Sequence, residues 1–177
     1  MAANSKETTL KATMLGYRNV GATSGDYTDL SGVLRGLTIT QDEPESTSID
    51  AEFFDSPFYI EYTGNPVTIS FEWANYSLSE LQALLGGERT AGDSSTAEQY
   101  EAPTSITSIE KEWKLDFGVG FKSLVIYRGA LVATLKKDED GALNYACTIT
   151  SLNHNAGTDE NPDYRIYSII GSKTATT

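Results

Sequence analysis

The chain has 177 residues, of which 39% are hydrophobic and 10% aromatic, and its formal net charge is −12. This length suits one domain with a buried core, and the hydrophobic share is too high for a disordered chain. The negative charge argues against a protein that binds a phosphate backbone or an anionic membrane surface. We therefore expect a folded domain that binds neither DNA specifically nor a membrane.

The first fifteen or so residues contain no apolar segment of the kind found in signal peptides, and no window approaches the apolar length of a membrane span. Cys147 is the one cysteine, so no disulfide can form within the chain. Both observations favour a protein that is made and assembled in a reducing cytoplasm.

The first part of the chain predicts two strands separated by a loop. Residues 1–8 are polar and predict a flexible arm, and the alternation that follows predicts a strand over 6–17. Four glycines among polar residues predict a long loop over 16–32. Residues 33–40 predict the second strand.

The segment 36–88 contains no Lys or Arg and carries ten carboxylates. Its β-branched and aromatic residues predict strands over 47–53, 58–62 and 67–73, so we expect this acidic segment to be folded. In the third of these strands, alternation places four apolar side chains on one face: Val67, Ile69, Phe71 and Trp73.

One short helix is predicted after the third of these strands. Ser77-Leu78-Ser79-Glu80 has the spelling of a capping box, and Gly86-Gly87 can end the helix. About two turns of helix are not stable alone in water, so we expect it to lie against the sheet. The side chains predicted to face inward are those of Leu78, Leu81 and Leu85.

The second half of the chain predicts a long polar loop over 88–103 and then further strands. These strands span 107–117, 121–128, 131–137, 143–152 and 164–170, and the third and fourth form a hairpin around Asp138-Glu139-Asp140-Gly141. A polar tail at 171–177 predicts a second flexible arm. The whole chain, 1–177, therefore predicts a single all-β, mainly antiparallel domain, a β-sandwich or partly closed barrel with one short flanking α-helix.

No motif in the sequence predicts catalysis. His154 lies in a loop without a nucleophile motif, and Cys147 alternates with apolar residues as a buried side chain does. One histidine and one cysteine cannot build a zinc site, and Gly141 is misplaced for an EF-hand. A weak cation site in the acidic loop 158–163 stays open. We expect no enzyme, no catalytic residue, no metal site and no cofactor.

The middle of the chain contains a series of segments with a recognisable order. They are Leu37-Thr38-Ile39-Thr40, Glu43-Pro44-Glu45, Ile49-Asp50-Ala51-Glu52-Phe53, Val67-Thr68-Ile69-Ser70-Phe71-Glu72 and the helix that ends at Gly86-Gly87. This series resembles the major tail tube proteins of long-tailed bacteriophages. The resemblance covers residues 33–90 by their residue pattern and the rest of the chain by the order of elements.

The resemblance implies a structural protein of the virion tail that is assembled in the host cytoplasm. It implies six subunits per ring, stacked rings, and a tape-measure protein and tail terminator or baseplate proteins as partners. DNA would pass through the tube without specific binding, because an acidic lumen repels phosphates. The residues that we expect at the lumen or at the ring interface are Asp42, Glu43, Glu45, Asp50, Glu52 and Glu61.

A different class of function also fits the composition. A β-sandwich can bind carbohydrate by stacking sugar rings on exposed Tyr and Trp side chains. Trp73 and Trp113 are the candidates for such a platform, although their alternation on strands is more typical of a core.

Overall fold

Strands dominate the described part of this computed structural model, which contains fourteen strands and one helix. The structure describes residues 14–41, 43–49, 59–63, 65–105, 109–118, 120–139, 141–157 and 160–171. The strands are β1 (Met14–Asn19), β2 (Thr28–Asp29), β3 (Val33–Gln41), β4 (Glu45–Ile49), β5 (Tyr59–Thr63), β6 (Val67–Ala74), β7 (Glu88–Thr90), β8 (Gln99–Glu101), β9 (Glu110–Asp116), β10 (Ser123–Lys137), β11 (Leu143–Ser151), β12 (His154–Asn155), β13 (Tyr164–Arg165) and β14 (Tyr167–Ile170). The helix is α1 (Leu78–Leu85). The arm predicted at 1–8, and all but Gly171 of the arm predicted at 171–177, lie outside the described residues.

Eight strands form one antiparallel sheet in the order β2-β1-β9-β10-β11-β6-β3, with β14 also paired to β10. We call β2, β1, β9, β14 and residues 123–126 of β10 the first layer. The second layer consists of residues 131–137 of β10 together with β11, β6 and β3. The sheet is not closed into a barrel, and the prediction of an all-β, mainly antiparallel, sandwich-like fold is confirmed.

Strand β10 joins the two layers, and Gly129 lies where it passes from one to the other. The register between β10 and β9 shifts between Ile126 and Gly129. A Cβ atom at Gly129 would lie 2.8 Å from Trp113 Cδ1 and 3.0 Å from Ile149 Cγ2. Only a residue without a side chain fits here, because Trp113 of the first layer and Ile149 of the second meet over this backbone. The sequence had predicted two strands, 121–128 and 131–137, where the structure has one.

The core lies between the layers and is built from the faces that alternation predicts. Val67, Ile69, Phe71 and Trp73 of β6 are all buried, as predicted. From the first layer they are joined by a set of buried side chains: Leu15, Trp113, Leu115, Leu124 and Ile126. Two indole groups are satisfied inside this core, since Trp113 Nε1 donates to the Gly129 carbonyl at 3.1 Å and Trp73 Nε1 donates to the Ser31 carbonyl at 2.7 Å.

The predicted capping box is confirmed at the start of α1. The Ser77 side chain accepts from the Glu80 backbone N–H, and the Glu80 side chain accepts from the Ser77 backbone N–H. The predicted inward face is confirmed, since Leu81 is fully buried and Leu78 and Leu85 are partly buried against the core; Leu84, which was not predicted, is fully buried as well. The short helix is thus held by tertiary packing.

The loop predicted over 16–32 is shorter than expected. Strand β1 continues through Gly16 to Asn19, and β2 pairs with it at Gly16–Asp29 and Tyr17–Thr28. Glycine often indicates a loop, but Gly16 lies within the strand. Glycine is required here because a Cβ would lie 2.9 Å from Tyr27 Cβ. Because Gly16 has no side chain, Tyr27 can pack directly against its backbone.

The loop predicted over 88–103 is shorter than expected, because its two ends pair as a hairpin of β7 and β8 while residues 91–98 between them form a loop. Asp93 closes the turn, since its Oδ1 accepts from the backbone N–H groups of Ser95 at 2.8 Å and Thr96 at 2.7 Å. An ion pair between Arg89 and Glu98 joins the two sides. Strands of three residues, with Tyr100 as their one core-facing apolar side chain, are too short for alternation to predict.

The hairpin predicted around residues 138–141 is confirmed. Strands β10 and β11 pair from Lys137–Leu143 to Gly129–Ser151. The Gly141 N–H donates to the Asp138 carbonyl at 3.0 Å, and Gly141 has a φ of 90°, which favours glycine. Asp140 lies outside the described residues.

Candidate functional site

An antiparallel ribbon extends the second layer beyond its neighbouring strands. In β3 and β6, Gln41 lies opposite Val67; four residues further on each strand, Glu45 of β4 lies opposite Thr63 of β5. The register is therefore unchanged from one ladder to the next. Strand β11 accompanies β6 only from Trp73 to Thr68, so β4 and β5 follow the ends of β3 and β6 that β11 does not cover. We call β4 and β5 the acidic ribbon.

Of the six residues predicted at a lumen or ring interface, the structure describes three, and these lie on this ribbon or in the connection that leads to it. Glu43 is exposed in the connection between β3 and β4. Glu45 lies opposite Thr63 and Glu61 lies opposite Thr47, so the two glutamates are two register positions apart on facing strands. The structure thus brings Glu45 and Glu61 to one ladder. The remaining three lie outside the described residues: Asp42, Asp50 and Glu52.

Three neighbouring strands of the second layer repeat the same tripeptide in register. Thr38-Ile39-Thr40 in β3, Thr68-Ile69-Ser70 in β6 and Thr148-Ile149-Thr150 in β11 align so that the three isoleucines lie side by side. Ile69 and Ile149 are buried in the core. Because side chains alternate across a strand, the hydroxyl residues lie on the opposite, outer face of the layer.

These hydroxyl residues form two rows across the layer. One row is Thr40, Thr68 and Thr150, continued by Ala130 of β10; the other is Thr38, Ser70 and Thr148, continued by Val132. Neighbours are about 4.8 Å apart across strands and roughly 6.7 Å apart along them. We call the six hydroxyl residues the hydroxyl face. Sequence analysis missed it, although its signal, three copies of Thr-Ile-Thr or Thr-Ile-Ser, stands in the sequence.

Within β3, β6, β11 and residues 131–137 of β10, charge on the outer face lies near the β10–β11 turn; beyond the other end, Glu110 of β9 lies opposite Ala130 and pairs with Arg128. Glu72 Oε1 accepts from Asn144 Nδ2 at 3.2 Å, and Asn144 also donates to Asp138. Arg35 Nη1 lies 3.5 Å from Asp138 Oδ2. Asn144 is buried, and its amide nitrogen donates to both carboxylates. The rows of the hydroxyl face themselves contain no charged residue.

The second layer ends in two free strand edges in the described part of the chain. Strand β3 pairs with β6 alone, and residues 131–137 of β10 pair with β11 alone. An unpaired edge of this length exposes a row of backbone donors and acceptors that another strand can bind. Apolar side chains stand on both edges, since Ile39 is 41% exposed and Leu135 is 53% exposed.

An apolar groove adjoins each free edge. Beside β3 a cavity of about 310 Å³ opens toward β14, with Tyr167 OH 3.4 Å from Gln41 Oε1 across it. Its apolar lining is Ile39, Val67, Phe117, Leu124 and Ile169. Beside β10 a cavity of about 280 Å³ lies under α1 and β8, and its lining includes Leu84, Leu85, Tyr100, Leu131 and Leu135. At both edges, apolar side chains thus line a groove that the subunit leaves open.

The outer face of the first layer differs, because the chain covers it with its own residues. Glu112 of β9 is 4% exposed and accepts from Arg18 Nη2 at 2.7 Å and from Tyr27 OH. The Arg18 guanidinium also lies 4.6 Å from the centre of the Tyr27 ring. Burial, followed by the hydrogen bond to Glu112, raises the pKa of Tyr27, so its hydroxyl stays a donor at neutral pH.

Glu80 fixes the connection between β2 and β3 to the helix. Its carboxylate accepts from the Ser31 backbone N–H at 2.7 Å, from the Ser31 hydroxyl and from the Ser77 hydroxyl at 2.8 Å. Burial alone would raise the pKa of Glu80, but these hydrogen bonds outweigh it and lower the pKa below its usual range. This buried carboxylate is structural, because every oxygen already has protein donors.

The other residues considered for chemistry have structural surroundings. Cys147 is 2% exposed, and burial raises the pKa of its thiol to about 12. His154 lies in β12 opposite Arg165 and stacks on Tyr127 at 6.1 Å between ring centres. Within the described ranges, no three His, Cys, Asp or Glu residues are grouped as metal ligands would be, and no helix is long and apolar enough to cross a bilayer.

Neither tryptophan is available as a sugar platform. Trp73 is 0% exposed and Trp113 is 1% exposed, which confirms that their alternation marks the core. Tyr164, at 68% exposure, is the most exposed large hydrophobic residue of the described chain.

Comparison with known proteins adds no relative to this picture. No protein-family model matches the sequence, and a search of curated proteins finds no match.

Proposed function

We propose that the chain is a structural subunit of a phage tail tube, which assembles with copies of itself as hexameric rings stacked around a channel for DNA. The observation that carries the proposal is the second layer, a four-stranded sheet with two free edges, each beside an apolar groove. Such edges favour strand pairing between copies of the chain.

The direction of the strands permits a continuous ring. Every neighbouring pair in the second layer is antiparallel, and the layer has four strands, so β3 and residues 131–137 of β10 run in opposite directions. When the β3 edge of one subunit meets the β10 edge of the next, the antiparallel pattern continues. This is a head-to-tail contact, which closes into a ring under rotational symmetry. Ile39 of one subunit would then extend the apolar surface beside Leu135 of its neighbour.

The width of the second layer suits the passage of DNA. At about 4.8 Å per strand, six four-stranded layers close a ring roughly 115 Å around and about 37 Å across at the backbone. Side chains that project roughly 5 Å inward leave a channel about 27 Å wide, and any tilt of the strands widens it. A DNA duplex is roughly 20 Å wide, so it would fit with a layer of water.

The acidic ribbon is placed for contact between rings. It continues β3 and β6 along the strand direction, which in such a ring is close to the tube axis. Glu43, Glu45 and Glu61 would therefore lie toward the adjacent ring. Of the two locations expected from the sequence, lumen or ring interface, this is the ring interface. A tape-measure protein and terminator or baseplate proteins follow from the family resemblance as partners, and the virion tail as the location.

Negative-stain electron microscopy of concentrated protein tests the proposal. We expect rings or tubes from the wild type, and loss of them in Ile39→Lys, because a charge on the apolar side of the β3 edge would be buried in the seam. Ser94→Lys adds the same charge at an exposed turn and should leave assembly intact. Subunits that stay monomeric at all concentrations, with partner proteins present, would refute the tube.

A further inference from the structure

We propose that the hydroxyl face, rather than an acidic surface, lines the channel of the assembled tube. This inference rests on the proposed function and specifies which surface of the subunit meets the DNA. Its six residues are Thr38, Thr40, Thr68, Ser70, Thr148 and Thr150.

The space inside a ring decides which face of the second layer points inward. Packed sheets lie about 10 Å apart, so a first layer placed inside a ring of about 18 Å radius would lie at a radius of about 8 Å. The circumference there is roughly 50 Å, whereas six copies of a five-stranded first layer need roughly 140 Å. Placed outside, at about 28 Å radius, the same layers have roughly 175 Å available.

The first layer and the core must therefore lie outside the ring, and the opposite face of the second layer must lie inside. That opposite face carries the hydroxyl rows, as the alternation with buried Ile69 and Ile149 requires. The even number of strands in the second layer, its two free edges and the widths of the two layers are together compatible with one orientation of the subunit in the ring. This orientation follows from strand number and spacing, independently of charge.

A hydroxyl wall has different physical consequences from an acidic one. Threonine and serine hydroxyls bind water and carry no charge, so they neither gain affinity by releasing counterions from phosphates nor repel the duplex. The Glu72 carboxylate on this face is held by Asn144, and Arg35 and Lys136 lie near it; Glu110 of β9, opposite Ala130, is paired with Arg128. The wall is close to neutral, and the acidic residues lie at the ends of each ring.

Thiol labelling of assembled tubes tests this orientation. Thr148→Cys places a thiol at the centre of the hydroxyl face, and Asp29→Cys places one on β2, in the first layer. The native Cys147 gives little background, because it is buried and its thiolate is scarce at neutral pH. The reagents are a small maleimide dye and a maleimide on a polyethylene glycol chain too wide for the channel.

In separated subunits we expect both introduced cysteines to react with both reagents. In tubes, Thr148→Cys should still react with the dye. With the wide reagent, Thr148→Cys should react at least ~10-fold more slowly than Asp29→Cys, because access controls thiol modification. Ser70→Cys, a change of one oxygen to sulfur, repeats the measurement at the neighbouring strand.

The outcomes separate the two proposals. Tubes in which Thr148→Cys and Ser70→Cys react with the wide reagent as fast as Asp29→Cys would overturn the channel assignment and leave the tube intact. Failure of the wild-type chain to form any ring or tube would overturn the proposed function, and the channel assignment with it.

Discussion

The outer faces of the two layers differ in what the same chain does with them. On the first layer, Tyr27 and Arg18 cover the Glu112 carboxylate, and the face is closed by the protein's own side chains. On the second layer, six hydroxyl residues lie in rows without a covering segment in the described part of the chain. A buried charge needs fixed partners, whereas a hydroxyl is satisfied by water. The outer face of the first layer is therefore covered within one subunit, whereas the outer face of the second layer is suited to remain in contact with water.

The contact between the layers is where a mutation should have the largest effect. Trp113→Ala removes a side chain that is 1% exposed and lies against Gly129 and Ile149. We expect a loss of about 3–5 kcal/mol in the free energy of unfolding, measured by urea denaturation.

Tyr164→Ala is the matched control, because this ring is 68% exposed, and its effect should stay within about 0.5 kcal/mol. Equal losses at the two positions would mean that Trp113 does not hold the layers together.

The covered charge of the first layer should give the next largest effect. Glu112→Ala leaves Arg18 and Tyr27 without their acceptor, and we expect a loss of about 2–3 kcal/mol in unfolding free energy. Glu110→Ala on the same strand breaks the more exposed pair with Arg128 and should cost less than about 1 kcal/mol. Chemical denaturation of both variants makes the comparison, which fails if the exposed pair costs as much as the buried one.

Local patterns predicted the helix and one hairpin, while features that depend on strand neighbours were missed. The capping box of Ser77 and Glu80 and the turn at Gly141 each involve residues within a few positions of one another. The hydroxyl face could not be predicted, because alternation defines two faces of each strand but not which strands align. Likewise, Gly129 reads as a break in the sequence, and only the packing of Trp113 over it explains a continuous strand.

Part of the scaffold of the candidate site could be predicted. The strand predicted over 58–62, which carries Glu61, corresponds to β5, but the sequence did not indicate that the ladder of β4 and β5 keeps the register of β3 and β6. That continuity is a matter of register across four strands, which no single segment encodes. Composition predicts an acidic lumen, whereas the orientation that we propose for the hydroxyl face would place the acidic ribbon at the ends of each ring.

Acid should weaken the link between α1 and the connection before β3. The pKa of Glu80 is lowered in the folded protein, so its contribution to stability is complete above its ordinary value of 4.5 and is lost as the pH falls through the folded pKa. Glu80→Gln should cost about 1 kcal/mol at pH 7. The difference between wild type and variant, from denaturation at a series of pH values, should shrink below pH 4.5. A difference that grows in acid would contradict this assignment.

The smallest effect is expected on the hydroxyl face itself, and its smallness is informative. Thr148→Val replaces one strand-forming side chain by another of similar shape, so the unfolding free energy should change by less than about 0.5 kcal/mol. The adjacent change Cys147→Ser places a hydroxyl in the core and should cost about 1–3 kcal/mol. The two positions are neighbours in sequence and differ only in the face they occupy. If Thr148→Val instead proves as costly as Cys147→Ser, its hydroxyl is bound within the subunit, and the face is part of the fold rather than a surface kept for water.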